Sequence, residues 1–173
     1  MKYKIISGLI ILSVLNSCKD ETKIIKKTPE LKTINLIFPD TVYVNELYDG
    51  KIEYKNDLDT ITTNLDDVKK ARFLDYNFLL TTDVKHDVNY LKKNAKGNFV
   101  AETNRIIPLY GIMFRKLGLN YFDGIITDEV RIENGAQGKK GEPLTRIITD
   151  EIRLTRGVYV IERPSSTKSS SEK

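Results

Sequence analysis

The chain has one cysteine, one histidine and no tryptophan in 173 residues, and its charges nearly cancel, with 28 lysines and arginines against 24 acids. A single cysteine excludes an internal disulfide framework and any zinc site built on cysteine pairs. His86, beside Asp87, has no second histidine to share a metal with and reads as a surface residue. The near-neutral balance argues against a nucleic-acid partner, which would require basic residues gathered on one face. The serines beyond residue 17 are confined to the C-terminal tail, so no Gly-x-Ser-x-Gly nucleophile elbow exists. Asp66-Asp67 are adjacent carboxylates in a polar turn and read as solvated rather than as a glycosidase pair. Tyr43, Tyr48 and Tyr54 are the candidates for stacking on a sugar, a role that the lack of tryptophan makes weaker. No cofactor is implied.

Long apolar runs are also scarce. The longest, Ile5 to Leu15, covers eleven positions and is interrupted by Ser7, Gly8 and Ser13. A membrane-spanning helix needs roughly 18 to 20 such residues. With Lys2 and Lys4 before the run and Asn16-Ser17-Cys18 after it, the pattern is that of a secretory signal peptide over residues 1–17. Leu15-Asn16-Ser17-Cys18 resembles the lipobox of bacterial lipoproteins, which implies cleavage before Cys18 and acylation of its thiol. Each buried methylene contributes about 0.8 kcal/mol, so two or three acyl chains hold a protein on a bilayer. Lys19-Asp20-Glu21 resembles the charged tripeptide that sends some Bacteroidota-type lipoproteins to the outer face of the outer membrane. That resemblance implies a lipid-anchored, surface-exposed protein, a periplasm-facing one being the alternative. Removing residues 1–17 takes away two lysines and no acids, so 26 basic and 24 acidic residues remain, a formal excess of +2.

Residues 18–30 read as a tether that ends at Pro29, and residues 164–173, Pro164 followed by mostly serine and lysine, as a disordered tail with nothing to bury. The foldable part is 31–163. There the dominant period is two: Leu31 to Phe38, Val42 and Val44, Ile52 and Tyr54, Leu74 to Leu80, Ile106 to Phe114, Leu119 to Ile132, and Val158 to Ile161. Several short strands with turns between them predict a mostly β, antiparallel sandwich of about seven strands. One helix is predicted over Val84 to Lys96, capped by Asp83 and stopped at Gly97, and a turn of helix at Asn64 to Lys70. Arg115-Lys116-Leu117-Gly118-Leu119-Asn120-Tyr121 resembles the corner before the sixth strand of immunoglobulin-like sandwiches. The resemblance implies that the Tyr121 hydroxyl bonds back to the backbone and that Tyr121→Phe costs on the order of 1 kcal/mol.

Ile125-Ile126-Thr127-Asp128-Glu129-Val130-Arg131-Ile132 recurs as Ile147-Ile148-Thr149-Asp150-Glu151-Ile152-Arg153-Leu154, identical at six of eight positions. Two units are too few for a solenoid, so adjacent strands are expected. Strict alternation puts Asp128 in phase with Ile126, Val130 and Ile132, and Asp150 with Ile148, Ile152 and Leu154. Either each strand bulges at Thr-Asp, the favoured reading, or each aspartate meets an arginine or a cation such as calcium. Between the copies, Asn134, Gly135, Gln137, Gly138, Lys139, Lys140 and Gly141 form a glycine-rich, basic segment that reads as a flexible hairpin tip and the candidate binding loop. The expected function is that of a lipid-anchored, non-catalytic β-sandwich that binds a protein or glycan or serves an envelope complex. The alternatives are an inhibitor or immunity-type lipoprotein acting on a secreted enzyme and, behind it, a glycan hydrolase.

Overall fold

The computed structural model describes residues 32–164. The signal peptide, Cys18, Lys19, Asp20, Glu21 and the tether lie outside them, as do the last nine residues of the tail. Among the described residues eight strands form: β1 (Thr33–Ile37), β2 (Thr41–Tyr43), β3 (Leu47–Lys55), β4 (Lys70–Thr81), β5 (Gly97–Val100), β6 (Ile106–Met113), β7 (Gly118–Gln137) and β8 (Pro143–Ile161), with one α-helix, α1 (Val88–Asn94), between β4 and β5. One sheet has the order β1-β3-β6 and the other β2-β8-β7-β4-β5. The five-stranded sheet curls into a half-barrel. The expectation of a mostly β, two-sheet domain with one helix therefore holds.

Period two builds the core. From the smaller sheet and its flanks come Leu36, Phe38, Ile52, Tyr54, Ile107 and Leu109, and from the larger one Leu74, Tyr76, Phe78, Phe122, Ile126, Val158 and Val160. Phe38 and Phe122 meet edge to face with centroids 4.9 Å apart, and Phe114 meets Phe122 the same way at 5.6 Å. Such pairs add roughly 0.5–1.5 kcal/mol each beyond the burial of their rings. Phe78 is opposite a glycine on both sides, Gly97 in β5 and Gly124 in β7. A Cβ at Gly124 would collide with the Asn77 carbonyl oxygen, and one at Gly97 with the Phe78 ring.

Four local expectations are corrected. The sheets are not wholly antiparallel, because after Pro39 the chain leaves the smaller sheet and β2 runs parallel to the end of β8, Thr41 beside Tyr159. The helix begins at Val88, not Val84. Asp87 caps it by accepting from the Tyr90 N–H at 2.7 Å, whereas Asp83 accepts from the Lys85 N–H in a turn. Gly97 opens β5 instead of ending the helix, since Lys96 already donates to the Phe78 carbonyl. Asn64 to Lys70 makes no helix: the Asn64 and Asp67 side chains each accept backbone N–H groups two or three residues ahead, closing isolated turns.

Candidate functional site

β7 and β8 pair antiparallel, so the two copies of the repeat lie side by side with Asp128 directly opposite Asp150. The register runs without a shift from Gly118 to Ile132, so neither strand bulges at Thr-Asp and the favoured reading is overturned. Asp128 instead meets an arginine. Arg72 shares the inward face of β4 with Leu74 and is 2% exposed; Asp128 is fully buried. Its Nε donates to Asp128 Oδ1 at 2.9 Å and its Nη2 to Oδ2 at 2.7 Å, a two-pronged contact. The remaining three donors go to Asp59 Oδ1, the Thr62 carbonyl and Asn56 Oδ1. All five guanidinium N–H groups are thus used. The Tyr54 hydroxyl donates to Asp128 at 3.1 Å. Asp150 is paired differently, with Lys32 at 2.9 Å and with the Asn56 amide.

The charges close on themselves. Asp59 also receives Arg105 and Asn104, so three carboxylates (Asp59, Asp128, Asp150) face three cations (Lys32, Arg72, Arg105). Burial pulls the Asp59 carboxyl upward, but the hydrogen bonds from Arg72, Asn104 and Arg105 outweigh it and hold the group below its ordinary value. Burial and the neighbouring Asp128 carboxylate push the Tyr54 phenol far up, so it stays a neutral donor. The cluster therefore ties β3 and the turn after it, in the smaller sheet, to β4, β7 and β8 in the larger one. A calcium ion would compete with Arg72 for the same Asp128 oxygens, and among the described residues no group of three or more acidic, histidine or cysteine side chains could hold a metal.

A second buried carboxylate lies on the opposite face of β7. Asp123 accepts from Arg153 Nε at 3.0 Å and Nη2 at 2.9 Å and from the Thr155 hydroxyl at 2.9 Å. The segment leading into α1 covers it, tied down by Arg153 Nη2 on the Val84 carbonyl and by Leu91, which is buried. His86 is part of this cover and not a free surface residue in the helix. Its Nδ1 is 3.7 Å from Asp123 Oδ2, and its ring stacks on Tyr90 at 4.4 Å.

The turn within the candidate binding loop is shorter than expected. Asn134, Gly135 and Gln137 belong to β7, and only residues 138–142 turn, closed by Gly138 N–H on the Glu142 carbonyl and by Gly141 at φ 81°. Three residues of β7, 133 to 135, bulge against Thr145 of β8, with Asn134 at φ 54°. β4 ends its pairing at Lys70 opposite Ile132, so beyond that point the hairpin is a two-stranded arm carrying exposed Lys139 and Lys140 at its tip. Tyr121 lies early in β7 and is half-buried; the corner is held by its neighbour Asn120, whose Nδ2 donates to the Lys116 carbonyl at 2.8 Å and the Gly118 carbonyl at 3.0 Å.

Sequence reasoning missed Arg72, Asn56, Asp59, Asp123 and Arg153. The signal for Arg72 was present, since it falls in phase with Leu74, Tyr76 and Phe78, as Asp128 does with Ile126 and Val130. No protein-family model, curated protein or solved structure matches the chain.

Proposed function

We propose that this chain is a lipid-anchored lipoprotein of the cell envelope whose domain is a non-catalytic, immunoglobulin-like module that presents a β arm to a protein or glycan. The sequence around Cys18 supports the anchor. Strand order supports the immunoglobulin-like reading: the first strand lies in one sheet and its continuation, β2, runs parallel to the last strand in the other. The observation that carries the binding role is the arm. It extends past its supporting strand, and its tip exposes two lysines that make no ion pair among the described residues. By contrast, the buried charged groups of the interior are engaged with one another, which suits a scaffold rather than a site that must exchange protons.

Protease shaving of intact cells followed by mass spectrometry of the N-terminal peptide tests the anchor. An acylated Cys18 released from the surface is expected, and an unmodified Cys18 or a retained Met1 refutes it. A pull-down from membranes with Gly135 to Gly141 replaced by a two-residue turn tests the arm: loss of the captured partner is expected, and retained binding removes the arm from the proposal.

A further inference from the structure

We infer that the free edge of β8 is a docking surface for a second copy of this chain, paired antiparallel about a two-fold axis at Ile148. Only Tyr159 to Ile161 of β8 have a strand on their outer side, β2. Residues 143–157 have none among the described residues. Edges of this length are normally blunted by charged side chains, by inward-pointing charges, by proline or by a bulge. After Pro143 this one has no lysine or proline, the bulge of the hairpin is in β7, on the other side, and its inward charges between residues 144 and 153, Arg146 and Asp150, are of opposite sign, so that a second copy can pair them rather than be repelled by them. Leu144 and Ile147 stand 45% and 56% exposed along it.

The register follows from the backbone. Tyr159 N–H donates to the Asp40 carbonyl and the Ile161 carbonyl accepts from Val44, so the odd residues of β8 point their polar groups to the outer edge. Thr145, Ile147, Thr149, Glu151 and Arg153 therefore offer unpaired N–H and C=O groups. A two-fold at Ile148 sets Thr149 against the partner's Ile147 and Glu151 against the partner's Thr145 as hydrogen-bonded pairs. The inward residues then meet in the closer, non-hydrogen-bonded positions. Ile148 faces the partner's Ile148, Leu144 the partner's Ile152, and Arg146 the partner's Asp150, the last contact occurring twice. Arg146 has no ion-pair partner among the described residues of its own chain, and the Asp150 carboxylate is 29% exposed. Other centres fail: Asp150 or Glu151 would face itself, and centres at 147, 149 or 152 oppose Asp150 to an apolar side chain. The ladder also ends where it must, at Arg153, because Arg156 binds the Leu36 and Phe38 carbonyls and residues 36–40 cover the edge beyond.

Sedimentation velocity on the full chain carrying Cys18→Ser is the test, with disulfide trapping through Ile148→Cys in the same background. A dimer, and a covalent dimer on oxidation, are expected. Thr149→Pro removes an edge N–H without touching the β7 ladder, and Arg146→Asp sets like charges together; each should weaken the dimer about tenfold or more with an unchanged circular dichroism spectrum. Should Thr149→Pro unfold, Arg146→Asp carries the test alone, since its side chain is exposed. A monomer at every concentration, a dimer indifferent to Arg146→Asp, or no trapping at Ile148→Cys overturns the inference. So does a monomer in which the Thr149 and Glu151 amides resist exchange, which would mean that residues preceding Lys32 cover the edge.

Discussion

Replacing Arg72 by methionine keeps an unbranched stem out to about the position of Nε and deletes all five donors. Asp128, fully buried, would keep only the Tyr54 hydroxyl, and the Thr62 carbonyl would lose its guanidinium donor. Asp59 would retain Arg105 and Asn104, so its loss is the smaller one. Breaking a buried pair by removing one member costs about 3–5 kcal/mol, chiefly from the stranded charge. We expect about 4 kcal/mol for Arg72→Met, which at roughly 3 °C per kcal/mol for a domain of this size is a fall of about 12 °C in Tm. Adding Asp128→Leu removes the stranded charge, so the double variant should recover about 2 kcal/mol. Urea unfolding followed by far-ultraviolet circular dichroism reads both, tryptophan fluorescence being absent from this chain. An Arg72→Met variant within about 1 kcal/mol of the parent, or a double variant less stable than the single, would refute the reasoning, because the interior would then not depend on that charge balance.

Two further outcomes follow from the same geometry. Asn120→Ala should cost about 1 kcal/mol while Tyr121→Phe stays within a few tenths, reversing the weight that the corner resemblance assigns; equal costs in urea unfolding would restore the tyrosine. The Asp59 carboxyl is held below its ordinary value, so its stabilisation is complete above the unfolded value of about 3.9 and is lost as pH falls through the lower folded value. Asp59→Asn should therefore lower stability at pH 7 and flatten the acid limb of a Tm-against-pH curve, and an unchanged limb would count against it.

Alternation was enough to place most strands, because each has one face in a shared core: Leu74, Tyr76 and Phe78 are all buried where the period puts them. The pairing of β7 with β8 was legible from the repeat itself. The helix start was not, because Asp83 and Asp87 are equally good caps and Val84 and Val88 share one phase. The choice is made by residues distant in sequence, Arg153 drawing the Val84 carbonyl down onto the sheet and Asp123 lying under His86. The Asp128 question failed for a related reason. A carboxylate on an apolar face looks costly when one strand is read alone, and its arginine is 56 residues away on a different strand. The arm, too, needed the end of β4 to be known before its reach could be seen.

Asp123 and Asp128 are five residues apart on β7 and so occupy opposite faces of the same strand, each gripped by its own arginine. Two near-identical, isoleucine-rich stretches folded against one another could slide by two residues and still keep Ile126, Val130, Ile148 and Ile152 on the inward face, which is the ambiguity that repeated strands bring to folding. A slip of β7 against both of its neighbours would drag Asp128 away from Arg72 on β4 and Asp123 away from Arg153 on β8, and bury both carboxylates bare. The pair therefore acts as a two-sided latch that selects a single alignment of β7, a choice that hydrophobic burial alone would leave open.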